Sequence, residues 1–327
     1  MGLLTMTGMI DLAQFWPQGD SDADTAKIGV HVTGASSFTF QAGAGGPAKP
    51  TAAFIGASVK VKGKPKPVID SKGRVTVRFQ GTDAPELHFA PTFGMLTLRQ
   101  NFGEASTSAL GAMLRAIGPG PLACRVITQV NHPNDVFDMF GRFIGDILVK
   151  KSKSEININH WTVEQGWAFP SFYNSMTSAE IQAVLTLAEA ARKARRNIWS
   201  AGAFTQNLGT LDMRLIYRKK GAAPAPDKGA VINPKFFRRQ YRWRDSVAKG
   251  KSTAKTLKQY LQGVKPPDQY MLTAEVLASS SHSATVHNLA DTINAANTVT
   301  VAPKDLVYRE AGSTLVKGAG NTPVTTW

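Results

Sequence analysis

Val77-Arg-Phe-Gln-Gly-Thr-Asp-Ala-Pro-Glu86 is the stretch on which the reading of this chain turns. It completes an alternating run, Arg74 to Gln80. Val75, Val77 and Phe79 share one face of that run, and Arg74, Thr76, Arg78 and Gln80 share the other. A period of two with an apolar side is the pattern of a half-buried strand, which delivers Arg78 to the polar face. A turn follows at Gly81 and brings one arginine and two carboxylates close together. Pro85 restricts Ala84 to extended geometry, so Asp83 and Glu86 need not point the same way. One carboxylate can then hold a cation while the other handles a proton.

Moving outward, Asp22-Ala-Asp-Thr25 forms an acidic turn before a strand-like run, Ile28 to Val32. Residues 41 to 50 read as a flexible loop. The basic segment Val59 to Pro67 reads as an exposed edge or loop, because its prolines bar a central strand. Gly103 to Ile117 has apolar residues at 105, 109, 110, 113, 114 and 117, which is helical spacing. Cys124 to Val130 reads as a strand. Thr177-Ser-Ala-Glu180 matches a capping box ahead of a helix that would bury Ile181, Val184, Ala188, Ala191 and Ile198. Strands with interspersed helices suggest an α+β domain ending near residues 200 to 214.

The composition then shifts. Lys219 to Asp227 is an Ala/Pro linker. Residues 214 to 265 carry 15 Lys and Arg against Asp227 and Asp245, a surplus of 13 in a chain whose net charge is +15. So strong a basic balance favours a polyanionic partner, most often nucleic acid. The last sixty residues are nearly neutral, with helix-like runs and an expected strand at Thr298 to Val301.

Hydrophobic residues make up 43% of the 327, enough for a packed core. Cys124 is the only cysteine, which excludes an internal disulfide and thiolate metal clusters. The six histidines show no tight metal spacing. No apolar run approaches the roughly 20 residues of a membrane helix. The first residues lack the basic start of a secretory signal and carry Asp11, so a cytoplasmic location or export by a non-classical route is expected.

Arg78 followed by Gly81-Thr-Asp-Ala-Pro-Glu86 resembles the signature of the staphylococcal nuclease (thermonuclease) family. Three further pieces follow the family's order: the acidic turn at Asp22 to Thr25, the aromatic-Gly-Arg motif in Asp138-Met-Phe-Gly-Arg142, and Gly166-Trp-Ala168 with Arg196-Asn-Ile-Trp-Ser200. The resemblance covers roughly residues 8 to 200. It implies a five-stranded OB-type barrel with packed helices, hence an α+β fold. It also implies a calcium-dependent nuclease that acts on DNA and RNA and leaves 3′-phosphate ends.

The chemistry fits those residue types. A phosphodiester gains charge in its pentacoordinate transition state, so cations aimed at its oxygens matter most. Arginine offers a planar fork to phosphate that lysine cannot. By the resemblance, Arg78 and Arg142 bind the phosphate, and Arg142 also stabilises the leaving 5′ oxygen. Glu86 is the general base. Ca²⁺, which takes oxygen ligands, would be held by Asp24, Asp83 and the carbonyl of Ala84. Read alone, Asp24 could be a turn residue, with Asp22 the ligand instead. Arg142 could equally be an ion-pair partner of Asp138 or Asp146.

Three departures stand out. Ala84 replaces the family's usual Thr. An insertion of about forty residues lies between Asp24 and Arg78, at about 35–73. Phe172 and Asn174 fall where the family has two substrate-facing tyrosines, and Phe172 could still stack on a base. Beyond the linker at 214–233, residues 234–327 resemble no family and are expected to form a separate basic domain beside the catalytic one, residues 1–213. Phe236 to Asp245 interleaves aromatics with Arg238, Arg239, Arg242 and Arg244. That suits phosphate tracking with base stacking, or equally a core helix with solvated arginines. Two other functions stay open: a nucleic-acid-binding module without catalysis, and a toxin or phage effector whose C-terminal part serves delivery or partner binding.

Overall fold

A computed structural model of the chain describes residues 1–30, 37–90, 97–210, 229–279 and 283–327. The strands β1 (Gly2–Ile10), β2 (Thr25–Gly29), β3 (Arg74–Phe79), β4 (Leu122–Val130) and β5 (Phe143–Lys151) close a barrel. β1 pairs antiparallel with β2 and β4, β2 with β3, and β4 with β5. β5 then returns parallel to β3, in the register Phe143 to Val77. The circuit β1-β2-β3-β5-β4 is a closed barrel, which removes free edges and lets alternate residues fill the interior. Leu4, Met6, Ile28, Val75, Val77, Val126, Phe143 and Ile147 are those residues.

Three helices pack on the barrel: α1 (Gly103–Ile117), α2 (Ile158–Glu164) and α3 (Ser178–Lys193). α1 has the bounds that its apolar spacing predicts. α3 begins at the expected capping box, with Thr177 and Glu180 each satisfying the other's backbone N–H. Asn159 on α2 ties helix to barrel. Its side-chain oxygen accepts from the Ile147 N–H at 3.1 Å, and its amide donates to the carbonyls of Gln80 (3.1 Å) and Gly145 (3.0 Å) and to Asp146 Oδ1 (2.9 Å). The amide thus continues the ladder of β5 where β3 has run out.

The insertion adds strands rather than loops. Phe38–Gln41 pairs with β1 at Leu3 to Met6, beside the stretch that β2 covers. Ala57–Val61 and Lys64–Pro67 form a hairpin. The prolines do fall on an exposed edge strand, Lys64–Pro67. Val59, however, is buried in a strand paired on both sides, because Thr314–Lys317 from the C-terminal part takes its other edge. The expectation of an exposed segment from Val59 is corrected by that partner.

The helix α4 (Pro234–Ala248) opens the C-terminal part, capped by Asn233 with Pro234 in the first turn. Phe236, Phe237 and Tyr241 enter a second hydrophobic cluster with Leu257, Leu261, Leu289, Ile293 and Tyr308. Phe89 and Leu98, which follow the Glu86 turn, belong to the same cluster. A second shared sheet joins Phe172–Tyr173, Leu306–Arg309, Gln269–Leu272 and His287–Asn288. No strand forms at Thr298 to Val301. Only the isolated bridges Asn207–Thr298 and Ile293–Val299 are present there, and the strands lie at Leu306–Arg309 and Thr314–Lys317. The Ala/Pro linker, Lys219 to Asp227, lies outside the described residues.

Candidate active site

The site is built on the turn after β3. Gly81 takes φ +75°, and a Cβ there would lie 3.0 Å from Val184 of α3. A side chain at that φ is strained whatever the space, so glycine lets the chain turn sharply against α3. At Gly103 a Cβ would come within 2.4 Å of the Glu86 carbonyl. The first turn of α1 therefore presses directly on the Glu86 backbone.

Arg78 is the hub. Its guanidinium bridges Asp24 and Asp83, donating to Asp83 Oδ1 at 2.7 Å. Asp24 Oδ2 also accepts the Ala84 N–H at 2.8 Å, and Asp24 Oδ1 accepts the Thr25 hydroxyl at 3.1 Å. The carboxylate before β2 is thus locked to the turn after β3. Asp24, rather than Asp22, occupies this place; Asp22 instead pairs with His88, Nδ1 to Oδ1 at 3.2 Å. Arg142 donates to Asp138 Oδ2 at 2.7 Å and to the Thr25 hydroxyl at 3.5 Å, with its side chain 27% exposed toward the cleft. It is both an ion-pair partner of Asp138 and a cation facing solvent.

A residue far along the chain completes the cluster. Arg238 of α4 forms an ion pair with Glu86 and donates to Asp83 Oδ2 at 3.2 Å and Oδ1 at 3.4 Å. Gln100 sets α4 against the turn: its side-chain oxygen accepts the Glu86 N–H at 2.9 Å, and its amide donates to the Ile232 carbonyl at 3.0 Å, just ahead of α4.

Burial and charge act against each other here. Burial raises the Asp83 carboxyl, but Arg238 and Arg78 outweigh it and hold the group below its ordinary value. Glu86 is pushed up to about 7, chiefly by burial; Arg238 opposes the rise, and Asp22, Asp83 and Asp24 reinforce it. His88 is raised to about 9, first by its hydrogen bond to Asp22. Burial also raises Asp22, against the pull of His88.

Arg78, Glu86, Arg142, Asp24 and Arg238 line one open cleft of about 650 Å³, whose walls also carry Lys62, Lys66, Lys235, Arg239 and Arg242. Ala84 is buried beside it. Phe172 is corrected: it is fully buried, paired in the shared sheet, and presents no ring to the cleft. Tyr173 lines the cleft instead, its hydroxyl raised to about 12 by burial and by Glu310. Asn174 Oδ1 is turned away, accepting the Glu310 N–H at 3.0 Å. The four C-terminal arginines separate. Arg238 reaches the carboxylates, Arg239 pairs with Asp268, Arg242 lies over the Phe89 ring at 5.8 Å, and Arg244 is exposed outside the cleft. Neither sequence reading of this helix holds in full. Its aromatics are core, yet three of its arginines face the cleft rather than open solvent.

Lys235, Arg238, Arg239 and Arg242 follow i, i+3, i+4, i+7 spacing. That legible signal places them on one helix face, opposite Phe236, Phe237 and Tyr241. What the pattern could not convey is that this face meets the Glu86 turn.

The closed five-stranded barrel carries an arginine–carboxylate cluster at the end of its third strand. Residues 76–201 match the family model described as staphylococcal nuclease homologue. The matched segment holds Arg78, Asp83, Glu86 and Arg142, while Asp24 and all of α4 lie outside it. No curated protein matches the chain. A domain of this type points to nuclease or nucleic-acid-binding function.

Proposed function

We propose that the protein is a calcium-dependent nuclease that hydrolyses phosphodiester bonds of DNA and RNA and leaves 3′-phosphate ends. The observation that carries this reading is the convergence of Arg78, Asp24, Glu86 and Arg142 at one cleft of the barrel, with Asp83 buried against Arg78. Arg142 meets the phosphate from the exposed lip of the cleft, and Arg78 from its floor. Glu86 takes the proton of the attacking water. As the new P–O bond forms, the P–O5′ bond breaks, the 5′ oxygen leaves beside Arg142 and takes a proton from solvent to become a hydroxyl, and the phosphate stays on the 3′ side.

The residues suit calcium in kind. Asp24 and Asp83 are hard oxygen donors, 4% and 0% exposed, and Ala84, which follows Asp83, offers a backbone carbonyl. No three acidic, His or Cys side chains converge as a ready-made metal cluster among the described residues. Both Asp83 oxygens are engaged by Arg238, so calcium and Arg238 compete for them. When bound, the ion supplies Lewis acidity toward the phosphoryl oxygen. Among the chain's own residues, Asp24 keeps the Ala84 turn in register and Arg78 keeps the two aspartates together.

The Arg238–Glu86 contact favours one alternative, a module that binds nucleic acid without cutting it. Digestion of plasmid and of RNA with calcium, with magnesium and with chelator decides between them. Calcium-dependent cleavage with 3′-phosphate ends supports the nuclease. Binding with no cleavage under any condition supports the module.

A further inference from the structure

The cleft has a wall that the nuclease-type domain does not supply. α4 turns about 100° per residue, so Lys235, Arg238, Arg239 and Arg242 fall within about 100° of one another, and Arg244 points nearly opposite. The recessed placement of this stripe is informative. Lys235 is 5% exposed, and the side chains of Arg238 and Arg239 are 24% and 17% exposed. The hairpin Ala57–Val61 and Lys64–Pro67 lines the same cleft through Lys62 and Lys66. The hairpin is held firm by Thr314–Lys317 along one edge and by Lys66 Nζ donating to the Phe140 carbonyl at 3.2 Å.

Most cations in the cleft are already matched: Arg78, Arg142, Lys235, Arg238 and Arg239 each have a carboxylate partner. Arg242, Lys62 and Lys66 make no ion pair with any described residue; Lys66 is held by the Phe140 carbonyl, which leaves Arg242 on α4 and Lys62 on the hairpin uncommitted. Two uncommitted cations on different elements of a cleft that also holds a carboxylate cluster are what a chain of regularly spaced phosphates needs. The cluster receives the scissile group, and the two cations hold its neighbours. The recessed cations of the α4 stripe are out of reach of a stiff duplex, whereas a flexible single strand can enter the cleft.

We propose that the basic face of α4 and the tip of the inserted hairpin grip a single strand of nucleic acid in the cleft that holds Glu86, with Arg242 and Lys62 each taking a backbone phosphate. This rests on the cleft being the nucleic-acid site, but not on cleavage. It is therefore tested on the full chain carrying Glu86→Gln, by anisotropy of a labelled single-stranded oligonucleotide across a salt series. Lys62→Gln and Arg242→Gln should each reduce the slope of log K against log salt by about 0.7, and the pair by about 1.4. Lys62 is exposed on the hairpin turn, so its substitution leaves folding intact and settles the matter if Arg242→Gln disturbs α4. An unchanged slope in Lys62→Gln overturns the grip. So does duplex binding as tight as the single strand's, or equal competition by polyglutamate of the same charge. Digestion of the same oligonucleotide by the unsubstituted protein separately decides the nuclease reading.

Discussion

Arg238→Ala tests how the C-terminal helix and the Asp83–Glu86 turn depend on each other. The substitution strips Glu86 of its ion pair and leaves Asp83, whose side chain is 1% exposed, with Arg78 alone. Removing one partner of a buried pair costs about 3–5 kcal/mol. Arg238 is 24% exposed and Asp83 keeps one cation, so the loss should lie near about 3 kcal/mol, the lower end of that range. Calcium changes the sum. At a concentration about 100 times its Kd, a ligand that binds only the folded state stabilises it by about 2.7 kcal/mol. In the unsubstituted protein that gain is reduced, because Arg238 must first leave Asp83. The Ala variant has no such obstacle, so calcium should recover most of its deficit. The assay is urea unfolding of both proteins in calcium and in chelator, with calcium affinity measured by calorimetry. Arg238→Ala should bind calcium more tightly. A deficit below about 1 kcal/mol in chelator, or the same calcium stabilisation in both proteins, would refute the reasoning.

Glu86→Gln and Arg142→Ala should each lower turnover by about 10² or more while the fold persists, and wild-type rates in either would remove that residue from the mechanism. Arg78→Ala should also unfold more readily, because it deprives the buried Asp24 and Asp83 of a shared cation; circular dichroism melts read this directly. Asn159→Ala orphans the Ile147 N–H and the Gln80 carbonyl in a fully buried site, which should cost about 2–6 kcal/mol at about 1–3 per group; a change under about 1 in denaturant midpoint analysis contradicts it. Asp146 is raised to about 7 by burial, reinforced by Glu180. Its folded value lies above its unfolded one, so its contribution to stability is full below about pH 4 and fades as pH climbs through about 7. Asp146→Asn should therefore flatten the fall in melting temperature between about pH 4 and pH 7, and an unaltered profile there would count against the assignment.

What the sequence determined by itself is local. The strand Arg74–Phe79, the turn that carries Asp83 and Glu86, the helix Gly103–Ile117 and the Thr177–Glu180 cap are each encoded within a few turns or pleats. Period and capping chemistry act over that range, and the structure reproduces them. The basic and aromatic faces of Pro234–Ala248 were legible in the same way. Their destinations were not. Asp24 reaches the Ala84 N–H across 60 residues, and Arg238 reaches Asp83 across 155. Periodicity says which residues share a face, but not which distant face will cover it. That choice is made by the fit of two surfaces and by where buried charges find partners. Phe172 became core because Leu306–Arg309 added a strand beside it, and Val59 became central because Thr314–Lys317 did the same. The same docking carried the stripe of Lys235, Arg238, Arg239 and Arg242 onto the cleft that holds Arg78 and Glu86. There, burial beside Asp83 and Glu86 holds an arginine that sequence alone could assign only to a helix face.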